Sequence, residues 1–415
     1  MPTRLKRFYI FLCCGLIMGY CIFLYNVVRA DTSWSEDFTA FYSGWTVSRS
    51  DDRADLYDLE TQRRYQADIV ARDGHDATDL QDGLLPYLNP PHLSLLAPLS
   101  LLSRRNALLV WIVVQMGFLL LLWRSTKDHF AFMVLLATPL VVMAVGVGVL
   151  SIVVAVAIWQ SYRALRQENH TQAALWMALA TIKPQMCLLP LIGFAVIRWR
   201  FVWRFILVMA VAAVTTVLVF GVKPWLDYLP FLRMISAMPG RYSLLIASTA
   251  TFRGLLFTIV GYEYATAVNF AGWAGLAAAI AVTIYVWRSA FSAELKISTA
   301  VLLGLFFGPH VNPSDDVLLV IPALLLYRHN KALAWFLCAF PLLMLVEWKT
   351  KGFRPFSVSL YLLFGMLSGT MFYRFANTRS EETSLQSSDR PTIEEPSIGP
   401  RQKLQSSFSW RRPSQ

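Results

Sequence analysis

The chain has 415 residues, of which 56% are hydrophobic and only 15% are charged. A soluble domain of this size needs more charge to cover its surface, so the composition excludes an ordinary soluble protein. Apolar runs near the length of a bilayer crossing recur along most of the sequence. In lipid such runs form helices, because backbone polar groups must be satisfied within the segment. We therefore predict an all-α polytopic membrane protein.

The formal net charge of +11 is concentrated at the ends of the apolar runs. Arg4, Lys6 and Arg7 precede the first run, and Arg328 and Lys331 follow a later one. This distribution is typical of the cytoplasmic ends of membrane helices. It gives a simpler explanation of the charge than nucleic-acid binding, and we expect no nucleic-acid partner.

The first apolar run, near residues 8–28, is predicted to be an uncleaved transmembrane helix that leads from the inside to the outside. A large polar loop over residues 29–91 follows and is expected outside. The apolar stretch 93–102 is predicted to be an interfacial helix. Further crossings are predicted at about 106–123, 130–147, 149–162, 203–221, 267–287, 332–347 and 356–373.

Two pairs of shorter apolar segments, 172–183 with 184–197 and 297–310 with 315–327, carry basic residues on both flanks. Each segment is too short for a comfortable crossing at about 1.5 Å per residue. Each pair is therefore predicted to form a hairpin with its proline-containing turn directed outward. Such broken helices are tolerated at membrane depth where they line a cavity.

These segments together predict about twelve transmembrane segments within a single domain over residues 1–376, with both termini inside. From residue 377 the sequence becomes rich in Ser, Pro, Glu and Arg with few apolar residues. We predict that residues 377–415 form a disordered cytoplasmic tail.

Asp37 is the first candidate for chemistry, because it follows the first helix by a few residues and precedes the aromatic residues Phe38 and Tyr42. A carboxylate held near a membrane surface beside aromatic rings can have a raised pKa, as a general base needs. The alternative is that Asp37 only caps a surface helix.

Lys183 and His310 occupy the turns of the two predicted hairpins. A lysine in the middle of an apolar run is costly and usually marks a pathway or a ligand, and a cation at a hairpin apex suits a phosphate. The alternative is that Lys183 extends to the membrane interface. His310 is suited to hydrogen-bonding a phosphate or carboxylate, or is simply a polar turn residue.

The sequence contains no phosphate-binding Gly-X-X-X-X-Gly-Lys motif, no Gly-X-Ser-X-Gly and no His-Glu-X-X-His. Its acidic residues show no spacing that indicates a divalent metal site. We therefore expect neither a metal nor a cofactor, and an enzyme of this kind would draw its donor from the membrane lipid.

Several short motifs, taken in order, resemble glycosyltransferase family 87 of the GT-C superfamily. They are Asp37-Phe38 with Tyr42, Leu56-Tyr57-Asp58, Tyr87-Leu88-Asn89-Pro90-Pro91, Lys183-Pro184-Gln185, and Gly308-Pro309-His310 with Asp315 and Asp316. The resemblance implies a GT-C-like architecture with a large first extracytoplasmic loop. It also implies transfer of a sugar from a polyprenyl phosphate to a lipid-linked or glycan acceptor on the outer leaflet, with inversion.

In the resemblance the catalytic base maps onto Asp37. The residues expected to bind substrate are Glu36, Tyr42, Lys183, Gln185, His310, Arg241 and Arg253. Glu36 is the alternative base if the register slips by one residue. Better understood members use mannose, but many relatives carry a Gly-Gln-Asn segment where this chain reads Gly146 to Leu150 without Gln or Asn. The resemblance therefore leaves the sugar open.

The expected location is the bacterial inner membrane, with the site on the extracytoplasmic side. A transporter or flippase for a lipid-linked or anionic substrate is the alternative function, because a membrane lysine and two broken hairpins serve that role equally well. The long acidic outer loop favours the transferase, since transporters seldom need one.

Overall fold

A computed structural model describes residues 3–30, 37–76, 84–126, 129–136, 139–238 and 251–326. Within these ranges the chain forms helices and no strand, which confirms the all-α class for the described part. The α-helices are α1 Thr3–Ala30, α2 Asp37–Arg49, α3 Leu59–Arg72, α4 Arg104–Ser125, α5 His129–Leu136, α6 Pro139–Val147, α7 Ser151–Arg166, α8 His170–Ala180, α9 Pro184–Ile197, α10 Trp199–Phe220, α11 Lys223–Ser236, α12 Phe252–Val260, α13 Ala265–Arg288, α14 Ala293–Phe307 and α15 Val320–Leu326. The described part also contains four 3-10 helices, at Asp51–Asp55, Pro91–Leu101, Tyr262–Tyr264 and Pro313–Leu319.

Three helices of the described part are long and apolar enough to cross a membrane: Arg104–Ser125, Trp199–Phe220 and Tyr262–Arg288. They match the crossings predicted near 106–123, 203–221 and 267–287. The prediction of about twelve crossings is not confirmed. The predicted crossings 332–347 and 356–373 and the tail 377–415 lie outside the described residues.

Proline explains where three predicted elements differ from the observed ones. The predicted crossing 130–147 consists of two short helices, and Pro139 begins the second of them. The stretch 93–102 lies in a 3-10 helix with Pro98 inside it, and the segment 315–327 begins as the 3-10 helix Pro313–Leu319. Proline lacks an N–H and clashes with the preceding turn, so it starts helices well and interrupts them.

Helix α7 lies in the core, and α10 has the opposite character. All but two of the 16 residues of α7 are buried, and they are mostly Val, Ala and Ile. By contrast, only Phe201, Thr216 and Phe220 of α10 are buried, although its sequence is strongly apolar. A helix with such an exposed apolar surface suits lipid rather than water.

Two glutamines of α3 hold the segment that leads from the first loop into the core. Gln66 accepts a hydrogen bond from the backbone N–H of Leu85 (2.6 Å) and donates one to its carbonyl (3.0 Å). Gln62 accepts from the backbone N–H of Tyr87 (2.8 Å). All these groups are buried, where an unpaired backbone group is costly. The two glutamines therefore hold this irregular segment in one conformation.

The same segment continues to the turn before α9. The side-chain amide of Asn89 donates to the carbonyl of Ile182 (3.1 Å), and the backbone carbonyl of Asn89 accepts from the hydroxyl of Tyr57 (2.6 Å). His92 lies 3.3 Å from the hydroxyl of Thr181 through Nε2. The first loop is therefore bound directly to the residues that precede Lys183.

Candidate functional site

Four helices begin at one place in the structure, and their first residues contact one another. Asp37 begins α2 and Ser151 begins α7, while Lys183 and Asn312 immediately precede α9 and the 3-10 helix Pro313–Leu319. The amino ends of α-helices carry partial positive charge and unpaired N–H groups. The amino ends of three α-helices in one group favour negative charge there.

Lys183 and Asp315 form a buried ion pair in the middle of this group. The ammonium of Lys183 donates to the carboxylate of Asp315, and the side chains are 8% and 0% exposed. The hydroxyl of Ser151 donates to the same carboxylate oxygen and lies 3.5 Å from the lysine nitrogen. The lysine that the sequence suggested as a cation for a phosphate is thus neutralised within the protein.

Asn312 joins this pair to Asp37. Its backbone N–H donates to the second carboxylate oxygen of Asp315 (2.9 Å), and its side-chain amide donates to Asp37 (3.3 Å). Asp315 therefore caps the helix that follows, and it also binds Lys183. Asp315 thus fixes the backbone of Asn312, and the side chain of Asn312 holds Asp37.

Asp37 is the partly buried carboxylate of the group. Burial raises the pKa of Asp37, the nearby charge of Lys183 opposes that rise, and the charge of Asp315 adds to it. The hydrogen bond from Asn312 favours the ionised form and so lowers the pKa. These opposed effects leave a carboxylate with a raised pKa that is still suited to accept a proton.

Asp316 differs sharply from its neighbour Asp315. It is 1% exposed, and neither of its carboxylate oxygens has a hydrogen-bond partner among the residues that the structure describes. No group of three His, Cys, Asp or Glu side chains within the described ranges is arranged to hold a metal ion.

The turn between α6 and α7 packs directly behind Asp37. Gly148 has a φ of +71°, and a Cβ built on it would lie 2.9 Å from both the Cβ of Phe38 and a methyl carbon of Leu108. Only glycine fits there without displacing Phe38, the residue next to Asp37. The Gly146 to Leu150 stretch, which lacks the amides of many relatives, thus supports the first turn of α2 sterically.

The other predicted site residues lie in different parts of the structure or outside the described residues. His310 is partly buried in the turn after α14, where the charges of Lys183, Asp315 and Arg253 all act on it. Gln185 is partly buried at the second residue of α9. The hydroxyl of Tyr42 instead donates to the carbonyl of Leu102 (2.6 Å), so it holds the end of the 3-10 helix Pro91–Leu101. Glu36 and Arg241 lie outside the described residues.

Ser151 and the double role of Asn312 are absent from the sequence-based site. Ser151 is an ordinary residue in the sequence, and its only signal is its position after a Gly-Val-Gly turn at the start of an apolar run. Asn312 is visible as part of a polar turn, but its bond to a residue 275 positions away depends on the tertiary fold.

An all-helical membrane protein with a buried polar site at converging helix starts is the class that this arrangement defines. The family model for glycosyltransferase family 87 matches residues 87–313, which is more than half of the chain. The chain belongs to glycosyltransferase family 87 and is therefore a glycosyltransferase, and this is consistent with the GT-C superfamily. No curated protein and no solved structure matches it.

The matched residues include Lys183, His310 and Asn312 but begin after Asp37 and end before Asp315. The family match therefore does not itself identify the base. Asp37 is connected to the matched region through its contact with Asn312.

Proposed function

We propose that this glycosyltransferase moves a sugar from a polyprenyl phosphate to a lipid-linked or glycan acceptor, with Asp37 as the catalytic base. The observation that carries the proposal is the Asp37 carboxylate at the point where α2, α7 and α9 begin. Helix starts favour the negative charge of a phosphate, and a carboxylate beside them is placed to take a proton.

The proposed reaction is a single displacement. The acceptor hydroxyl oxygen bonds to the anomeric carbon, the bond from that carbon to the phosphate oxygen breaks, and the electron pair leaves with the polyprenyl phosphate. The hydroxyl proton passes to Asp37. Phosphate is a good leaving group, so no general acid is needed, unlike in glycosidases, which use two carboxylates. One displacement inverts the anomeric centre.

The hydrogen bonds of Asp315 favour Asp37 over Asp315 as the base. Asp315 accepts hydrogen bonds from Lys183, Ser151 and the backbone of Asn312, so three of its roughly four acceptor sites are already used. Within the described part of the chain, Asp37 accepts one hydrogen bond, from Asn312. It therefore keeps acceptor capacity for a substrate hydroxyl.

The reaction is expected on the outer leaflet of a bacterial inner membrane, and mannose is the first sugar to test. The experiment compares transfer of sugar from a panel of polyprenyl-phosphate donors in membranes that contain the wild type or Asp37→Asn. Loss of a general base typically lowers turnover about 10²- to 10⁴-fold. Asp58→Asn is the matched control, because Asp58 belongs to the same loop but only caps α3, through the N–H of Thr61 (2.8 Å).

Near-normal turnover by Asp37→Asn, with the protein folded, would remove Asp37 as the base. Loss of turnover in Glu36→Gln but not in Asp37→Asn would assign the base to Glu36 instead. A wild type that moves a polyprenyl-phosphate sugar across the bilayer without forming a glycosylated product would favour the flippase alternative over transfer from this donor.

A further inference from the structure

Arg253, near the start of α12, is a buried cation without an acidic partner in the described part of the chain. It is 7% exposed, and its Nε is fully enclosed and has no hydrogen-bond partner within the described ranges. The described ion pairs do not include it. A buried charge without a counter-charge is costly, and proteins seldom keep one unless a ligand completes it.

The surroundings of Arg253 are shaped to hold the side chain in place. A Cβ built on Gly272 of α13 would lie 3.2 Å from its Cδ, so glycine at that position leaves room for the arginine stem. The guanidinium carbon lies 5.9 Å from the centroid of the Phe257 ring, over its face. These contacts fix the side chain and partly stabilise its charge, but they supply no hydrogen-bond acceptor.

The same place holds the amino end of a helix and lies beside the turn that carries His310. Arg253 is the second residue of the nine-residue helix α12. Thr251 caps the N–H of Gly254 (3.0 Å), so the amino end offers an anion the N–H groups of the first two residues and the partial positive charge of the helix. Its neighbour Phe252 packs against Phe307, the last residue of α14, with ring centroids 5.5 Å apart. His310 follows three residues later, and the charge of Arg253 acts on it.

The Lys183 ammonium is not available to bind a phosphate in this way, because Asp315 already neutralises it. We propose that Arg253, together with the amino end of α12, binds the phosphate of the polyprenyl lipid, whereas Lys183 serves to hold Asp315. This inference rests on the proposed function and deepens it, since it names the residue that binds the phosphate of the donor and of the product.

The experiment measures equilibrium binding of sugar-free polyprenyl phosphate to the purified protein, because that lipid carries the phosphate but undergoes no reaction. Polyprenol of the same chain length and inorganic phosphate serve as the comparison ligands. We expect Arg253→Gln to bind polyprenyl phosphate about 10- to 100-fold more weakly, the size of a lost hydrogen bond between charged groups. The affinity for polyprenol should stay unchanged. The affinity of Arg253→Lys for polyprenyl phosphate should lie between that of the wild type and that of Arg253→Gln.

The matched control is Arg63→Gln, since Arg63 is an exposed arginine paired with Glu60 in the first loop. It should bind polyprenyl phosphate as the wild type does. Gly272→Ala tests the same site without removing charge, because the added methyl presses on the stem of Arg253. It should weaken binding of polyprenyl phosphate and leave polyprenol binding unchanged.

Thermal stability separates this role from a structural one. Removing an unpaired buried charge relieves a penalty, so the ligand-free Arg253→Gln protein should unfold at the wild-type temperature or above it. Polyprenyl phosphate should raise the unfolding temperature of the wild type more than that of the variant. A variant that unfolds earlier and loses affinity for polyprenol as well would contradict the inference.

The remaining outcomes separate this inference from the proposed function. Equal binding of polyprenyl phosphate by wild type and Arg253→Gln would overturn the role of Arg253 and leave the donor class intact. A wild type that binds polyprenol as tightly as polyprenyl phosphate would overturn both. Competition by inorganic phosphate at the concentrations of the lipid would overturn the assignment to a lipid phosphate.

Discussion

Lys183 donates a hydrogen bond to Asp315, a residue 132 positions further along the chain, and both side chains are buried. The pair joins the turn before α9 to the 3-10 helix Pro313–Leu319. The turn of the first predicted hairpin therefore meets the start of the segment that follows the second turn, through opposite charges. Removing either charge leaves the other buried and unpaired.

The first prediction concerns this ion pair. Lys183→Met or Asp315→Asn alone should destabilise the protein by about 3–5 kcal/mol, because one change leaves a buried group uncompensated. The double variant should recover part of the loss, since neither charge then remains. Thermal unfolding of the purified protein in detergent measures all four members of the cycle.

The control for this cycle is the exposed pair of Arg63 with Glu60. Neutralising either member should change stability by no more than about 1 kcal/mol, as for most surface ion pairs. A double Lys183→Met/Asp315→Asn variant whose losses are simply additive would show that the buried pair carries no coupling energy.

The second prediction concerns pH. Asp37 acts as a base only when ionised, and burial raises its pKa, so kcat/KM should fall on acidification at a higher pH than for an ordinary aspartate. The amide of Asn312 lowers the pKa of Asp37. Asn312→Ala should therefore move the acidic limb of the pH profile to still higher pH, while activity at high pH is better retained.

Asn169→Ala is the control for the pH shift, because Asn169 caps α8 through the N–H of Gln172 (3.1 Å) and does not contact Asp37. It should lower stability by about 1 kcal/mol, as for other helix caps, and leave the acidic limb in place. An acidic limb that stays in place in Asn312→Ala would argue against Asn312 as a partner of the base.

The third prediction compares two glycines. Gly148 and Gly221 both have positive φ, at +71° and +89°, so alanine strains the backbone at each. A Cβ meets nothing within 4 Å at Gly221 but lies 2.9 Å from Phe38 at Gly148. Gly221→Ala should cost about 1–3 kcal/mol from backbone strain alone, and Gly148→Ala should cost more.

Activity provides the sharper test of this comparison. Gly148→Ala should lower kcat, because displacing Phe38 moves the adjacent Asp37, whereas Gly221→Ala should leave kcat near the wild-type value. Turnover is measured on folded protein below the unfolding temperature of each variant. Equal kcat in the two variants would mean that the Gly148 turn does not position the base.

Composition and periodicity determined the helical membrane class, because lipid permits few ways to satisfy a backbone. They also located the three long apolar helices and indicated Asp37, Lys183 and His310 as chemically unusual positions. Each of these conclusions follows from local properties: hydrophobic length, a charge within an apolar run, or a proline at a turn. Such properties are readable from sequence because they need no partner.

The pairing of those residues was decided only by the tertiary structure. The Lys183–Asp315 ion pair spans 132 positions and the Asn312–Asp37 hydrogen bond spans 275. Such contacts depend on which helix starts the fold brings together, and no local property of the sequence indicates them. Packing neutralises Lys183 with Asp315, assigns Asn312 to Asp37, and leaves Arg253 buried without an acidic partner among the described residues. The sequence located the charges, and the fold determined which of them remain available for a substrate.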